Sequence, residues 1–179
     1  NQIIIKNYSF FTKEYTTFLS EWLTNTNKIF KDSEKFYILI YLFNRNLEFY
    51  NKNLIEFDYD TFDKTNNFDI QKINIVEIAN NLNIPKETAR RKILELEKKG
   101  VIVRKKKNII IDKNSFTLFN IISTLNSLSS LLFKIYSVCL KENIVTKNIA
   151  KEEIFAKIKK RFSFVMYHYF EFIIPWTMK

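Results

Sequence analysis

The chain contains a single glycine, and it stands at position 100, directly behind a run whose apolar residues keep helical spacing. Glycine adopts the left-handed backbone conformation at little steric cost, which suits it to the position just past a helix end. Only two prolines accompany it in 179 residues. So few turn formers predict helices joined by short loops rather than a β-sandwich or barrel. Hydrophobic residues make up 46% of the chain and aromatic residues 16%, ample for a core and contrary to disorder. This length holds one ordinary domain, or a small module with helical extensions.

The stretch from Ile73 to Asp112 is the most structured pattern. Asn74 can cap a helix from Ile75 to about Asn81, with Ile78, Ala79 and Leu82 on one side. Pro85 lacks an amide proton and disfavours helix at Ile84, so it closes one helix and opens the next. The second helix is expected over Lys86 to Lys99, burying Ala89, Ile93 and Leu96 and leaving Lys86, Glu87, Arg90, Arg91 and Lys98 off that face. After Gly100, Val101-Ile102-Val103 and Ile109-Ile110-Ile111 are β-branched runs that favour strand, with Arg104 to Asn108 joining them as a hairpin tip.

This order resembles a winged helix-turn-helix, and Pro85-Lys86-Glu87-Thr88-Ala89-Arg90-Arg91-Lys92-Ile93-Leu94-Glu95-Leu96-Glu97-Lys98-Lys99-Gly100-Val101-Ile102 is similar, without a gap, to the recognition-helix pattern of the GntR and Crp/Fnr regulators. Two positions depart from it. Pro85 replaces a capping serine. Lys92 replaces a residue that is commonly small in GntR proteins, which predicts a looser or shifted face there. The resemblance covers about 40 residues and implies double-stranded DNA as the partner. The second helix would enter the major groove with Lys86, Glu87, Thr88, Arg90 and Arg91. The wing would place Arg104, Lys105, Lys106, Lys107 and Asn108 on the backbone or in the minor groove.

Charge supports that reading. The formal net charge is +10, yet residues 72–113 alone carry twelve Lys/Arg against five Asp/Glu, a net of +7. Abundant Asn, Lys, Ile, Phe and Tyr suggest an AT-rich genome, which raises lysine everywhere, but not this clustering. Concentrated positive charge attracts phosphate.

The rest of the chain reads as helical scaffold, and the expected class is mainly α with a small β-hairpin wing. Three segments are expected: an N-terminal helical extension over 1–32, the winged helix-turn-helix over 33–113, and a C-terminal helical segment over 114–179. Tyr15, Phe18, Leu19, Trp22 and Leu23 mark a helix from about Lys13 to Asn25, with Thr24 to Asn27 weakening or ending it. Ser33 is expected to cap a scaffold helix reaching Asn51, with Phe36, Leu39, Ile40, Phe43 and Leu47 as its stripe. Residues 53–72 read as a solvated connector with aromatic anchors and room for a short helix. Its Glu56, Asp58, Asp60 and Asp63 match no calcium-loop spacing. Ser115 to Lys141 reads as one helix with Leu118, Ile122, Leu125, Leu128, Leu132, Ile135 and Cys139 as its stripe. It is apolar enough to raise a membrane span, but its serines and asparagines favour a buried bundle helix. Asn148 to Ile173 reads as a last helix with Phe155, Ile158, Phe162, Val165, Tyr169 and Phe172 on a seam. Its surplus of aromatic surface is explained equally by a homodimer through the C-terminal helices and by packing within one chain.

Catalytic chemistry finds little support. One glycine is too few for a nucleotide-binding loop, and Cys139 with His168 falls short of a zinc site, so no cofactor, metal or enzymatic activity is expected. His168 reads as an interior histidine. A lone Cys139 and no visible secretory signal point to a cytoplasmic protein. The expected function is sequence-specific DNA binding by a bacterial transcriptional regulator. A plasmid or phage replication initiator and a winged-helix protein-interaction module are the alternatives. Neither the operator nor an effector is legible.

Overall fold

The computed structural model describes residues 2–64, 72–106, 108–112 and 120–177, apart from the side chains of 27 and 173–177. Along these residues run α1 (Gln2–Lys6), α2 (Tyr8–Phe30), α3 (Ser33–Lys52), α4 (Tyr59–Lys64), α5 (Ile75–Asn81), α6 (Lys86–Lys98), β1 (Ile102–Lys105), β2 (Asn108–Ile111), α7 (Ile121–Lys141), α8 (Lys151–Lys160) and α9 (Phe162–Thr177). The class is mainly helical with one antiparallel hairpin, as the sequence predicts.

Helix α3 lies at the centre. The expected stripe of Phe36, Leu39, Ile40, Phe43 and Leu47 is buried, but so are Ile38, Tyr41 and Leu42 on its other faces. A helix buried on every side belongs in a core, here with Lys35, Asn44 and Asn46 enclosed among the apolar residues. It packs against α9, α6, α2 and β2. Ile38, Leu39 and Leu42 are completely buried, and each such side chain contributes roughly 1.5–3 kcal/mol. The aromatic residues of α9 complete this core: Phe170 meets Phe43 edge-on at 5.4 Å, and Tyr169 meets Trp22 at 5.7 Å. Among the described residues of α9, Phe162, Met166, Tyr169 and Phe170 are thus buried within one chain, while Phe172 stays exposed.

Several boundaries differ from expectation. Helix α2 runs through Thr24 to Asn27 as far as Phe30, whose ring lies 5.7 Å from Phe36. Packing against α3 overrides the weak propensity of that stretch. The cap of α3 is Asp32 rather than Ser33: Asp32 is extended, and its Oδ1 accepts the Lys35 amide at 3.2 Å. The buried face of α7 is Ile121, Leu125, Leu128 and Leu131, rotated from the predicted stripe, so Ile122 and Leu132 remain exposed. Residues 115–119, including Leu118, lie outside the described residues. Helix α7 is long and apolar enough to cross a membrane by composition alone, and here it packs against α2 and α8.

The expected single C-terminal helix is broken at Arg161, between α8 and α9. The break lets Ser163 bond to the connector: its amide donates to the Phe57 carbonyl at 3.1 Å and its Oγ accepts the Phe57 amide at 3.0 Å. Arg161 grips both oxygens of Glu56, at 2.9 and 2.6 Å. Two more connector acids have partners: Asp60 meets Lys159 at 3.1 Å, and Asp58 accepts the Thr61 amide at 2.7 Å. His168, expected inside, is exposed on α9 beside the rings of Phe164 and Tyr167.

A shortage of glycine leaves a mark at helix ends. After α6, Gly100 has φ +68° and closes a Schellman turn, its amide bonding to Glu97 and that of Val101 to Leu96. The same pair of bonds ends α3 at Leu54 and α5 at Asn83, both at positive φ. Leu54 accepts a strained backbone although its side chain is 91% exposed. Replacing Leu54 with Gly should raise stability by about 0.5–1 kcal/mol, and Gly100→Ala should lower it by about 1 kcal/mol through backbone strain alone. Urea titration checks both, and equal stabilities would refute the strain argument.

Candidate nucleic-acid interface

Helix α5 begins at Asn74, whose Oδ1 accepts the Glu77 amide at 3.0 Å. Helix α6 begins at Pro85 without a side-chain cap, as the missing serine predicts. Ile78 and Ala79 of α5 and Ala89, Ile93 and Leu96 of α6 are buried. That fixes which way the rest of α6 faces. Lys86, Glu87, Arg90 and Arg91 are exposed in its first two turns, and Thr88 is half-buried. Glu87 and Arg90 sit 3.8 Å apart, a loose surface pair that contributes little. Lys86, Arg91, Lys98 and Lys99 form no ion pair among the described residues.

The wing pairs Ile102 with Ile111, Val103 with Ile110, Arg104 with Ile109 and Lys105 with Asn108. The strands therefore extend further than the apolar runs predict, taking in Arg104, Lys105 and Asn108. Lys105 and Lys106 are exposed, Lys106 at φ 57°. Lys107 lies outside the described residues. Two candidates have structural work. Arg104 meets Glu97 of α6 at 2.5 Å, which ties the wing to the helix and holds the Glu97 carboxyl below its usual range. Asn108 Oδ1 accepts the Ile73 amide at 2.8 Å, while the Ile109 amide donates to the Ile73 carbonyl at 3.0 Å. Ile73 thus lines up along the wing as a third edge.

Lys92 overturns an expectation. Far from loosening its face, it reaches across to Asp32 Oδ2 at 2.6 Å and Glu34 Oε2 at 3.2 Å. Beside it, Lys35 meets Glu95 of α6 at 2.5 Å and Asp32 at 3.5 Å. Glu95 is thereby drawn toward α3 and away from the cationic face. A second tie joins α3 to α5, where Tyr41 Oη donates to Glu77 Oε1 at 2.9 Å and Arg45 Nε donates to the same oxygen at 3.2 Å. Sequence reasoning missed both ties. Their partners lie 60 and 36 or 32 positions apart, beyond any local spacing rule. The one hint was a lysine where a small residue was expected.

Two short helices in succession, the second buried on one face and basic on the other, with a hairpin tied to it, define a winged helix-turn-helix. Residues 69–110 match the family of DeoR-like helix-turn-helix domains. No curated protein and no solved structure matches the chain. The chain therefore carries a DNA-binding domain of the kind used in transcription regulation, with double-stranded DNA as the partner it suits.

Burial works against the charge of Asp32, but the hydrogen bonds from Lys92 and the Lys35 amide, with the charges of both lysines, outweigh it and hold the carboxyl below its usual value. A group depressed in the folded state stabilises above its unfolded pKa, near 3.9, and loses that contribution as pH falls through the folded value. The native protein should therefore lose stability below about pH 4 more steeply than Asp32→Asn does. Thermal melts from pH 3 to 6 measure this, and parallel curves would refute the clamp.

Proposed function

We propose that the protein is a sequence-specific transcriptional regulator of the cytoplasm and not an enzyme. Residues 33–113 are its DNA-binding unit, α6 lies in the major groove, and the wing rests on the backbone or in the adjacent minor groove. The observation that supports this most is the segregation of charge on α6. Glu95 and Glu97 are each engaged by a base of the scaffold or wing, while Lys86, Arg90 and Arg91 face outward together at the end that meets base edges. Arginine pairs bidentately with guanine, and each such pair discriminates by roughly 1–3 kcal/mol. Lys105 and Lys106 extend the same field toward phosphate. Arg104 and Asn108 serve this site by holding the wing in place.

The extension 1–32 and the segment 114–179 support α3 from behind. Ile122 and Leu132, each 37% exposed, and Phe172, 51% exposed, keep apolar surface outside. That supports pairing of two copies through the C-terminal helices, which would present two α6 helices to one operator.

The purified protein should retard duplex DNA, with affinity falling steeply as salt rises. Arg90→Ala with Arg91→Ala should abolish preference for a site selected from random duplexes. Lys105→Ala with Lys106→Ala should weaken all sequences alike and reduce the salt slope by about 1–2. Gel shifts at several salt concentrations distinguish the two, and undiminished preference in the arginine pair would refute the role given to α6.

A further inference from the structure

On the side of α3 facing away from the wing, a cavity of about 320 Å³ opens between α2, α3, the start of α7 and α9. Its walls are of two kinds. Trp22, Phe36, Phe43 and Phe170 give it aromatic surface. Ser123, Thr124 and Ser127 of α7 add hydroxyls. Farther along α7, Ser129, Ser130 and Ser137 donate to the helix's own carbonyls. Ser123, Thr124 and Ser127 make no side-chain hydrogen bond among the described residues. Glu21 and Lys28, both exposed on α2, place one charge of each sign at its mouth.

Size and lining together specify a class of ligand. An apolar cavity of ~150 Å³ holds one benzene ring, so this one accommodates two fused rings with substituents. Aromatic walls favour a flat apolar body, through edge-on and offset ring contacts. Unengaged hydroxyls on one wall favour an edge that donates or accepts hydrogen bonds, the usual division of labour in small-molecule sites. Opposite charges at the mouth favour no net charge.

The cavity is one helix away from the DNA-reading pair. Phe36 and Ile40 of α3 line it, and one chain neighbour of each bonds to the helix-turn-helix. Lys35, beside Phe36, is bonded to Glu95 of α6. Tyr41, beside Ile40, is bonded to Glu77 of α5. Phe30 also lines the cavity and stands two residues before Asp32, the partner of Lys92. A ligand that moves α3 therefore moves both attachments of the helix-turn-helix.

We infer that this cavity between α2, α3, α7 and α9 binds a neutral bicyclic aromatic compound bearing hydrogen-bonding substituents, and that its occupancy is carried by α3 to α6. The second half rests on the DNA-binding reading given above. The first half does not.

The probe is 2-naphthol. Calorimetry on the full chain without DNA should give saturable binding with a dissociation constant at or below about 1 mM. Ser127→Phe fills the cavity from α7 and should weaken binding at least about tenfold. Ser123→Trp blocks it from an exposed position that folding tolerates, and should do the same. Circular dichroism confirms that each variant is folded. In gel shifts on a selected operator, saturating 2-naphthol should change the native protein's affinity by about fivefold or more, in the range of ordinary allosteric coupling, and leave the Ser123→Trp protein unchanged. Absence of calorimetric binding to the native protein, or equal binding by both filled variants, overturns the site. Binding with unchanged DNA affinity overturns the relay through α3. A protein that binds 2-naphthol and no duplex at all refutes the regulator reading while supporting the cavity.

Discussion

The aim of α6 depends on a cluster of five charged side chains at the head of α3. Asp32, Glu34 and Lys35 come from the start of the scaffold helix, Lys92 and Glu95 from the middle of α6. The side chains of Asp32, Lys35 and Lys92 are only 16%, 11% and 14% exposed. Ion pairs in water contribute little, but half-enclosed ones are expensive to break from one side, because the remaining charge stays desolvated. The hydrophobic contacts of Ala89, Ile93 and Leu96 press α6 onto the protein without fixing its rotation closely. The charged cluster adds direction, since ammonium and carboxylate must meet within hydrogen-bond distance. Rotation about the α6 axis would separate them before it exposed much apolar surface.

That arrangement also sorts the charges of α6. Two of its carboxylates are committed, Glu95 to α3 and Glu97 to the wing. What remains outward is mostly positive, with Glu87 as the exception. The basic composition of the segment thus becomes a directed field only because the acids have been drawn off by the scaffold and wing. The match to DeoR-like domains covers this unit and leaves the surrounding helices unassigned. Those helices give the unit its backing, since α9 and α2 close the faces of α3 that α6 and β2 leave open.

Much of this was legible in the chain. Asn74, Pro85 and Gly100 announce three helix boundaries by chemistry that acts within a few residues, and the structure places α5 and α6 within one residue of the expected spans. The outward face of α6 followed from Ala89, Ile93 and Leu96. What stayed hidden was non-local. Arg161 sits in a run with unbroken helical spacing, and only the distant Phe57 and Glu56 make a break favourable there. The role of Lys92 depends on Asp32 and Glu34, and the rotation of α7 depends on which neighbours it meets. Asn108 and Arg104 also bond back to Ile73 and Glu97, and a basic hairpin tip gives no sign of which side chains do so.

The cavity behind α3 gives the molecule an uneven packing. About 320 Å³ open to solvent lies between α2, α3, α7 and α9, whereas Ile78, Ala89, Ile93 and Leu96 of the winged half are almost wholly enclosed. A layer with fewer enclosed contacts opens locally at a lower free energy. Amide exchange would therefore reach the helical back of the protein ahead of its winged half, and α3 is where the softer and stiffer halves join.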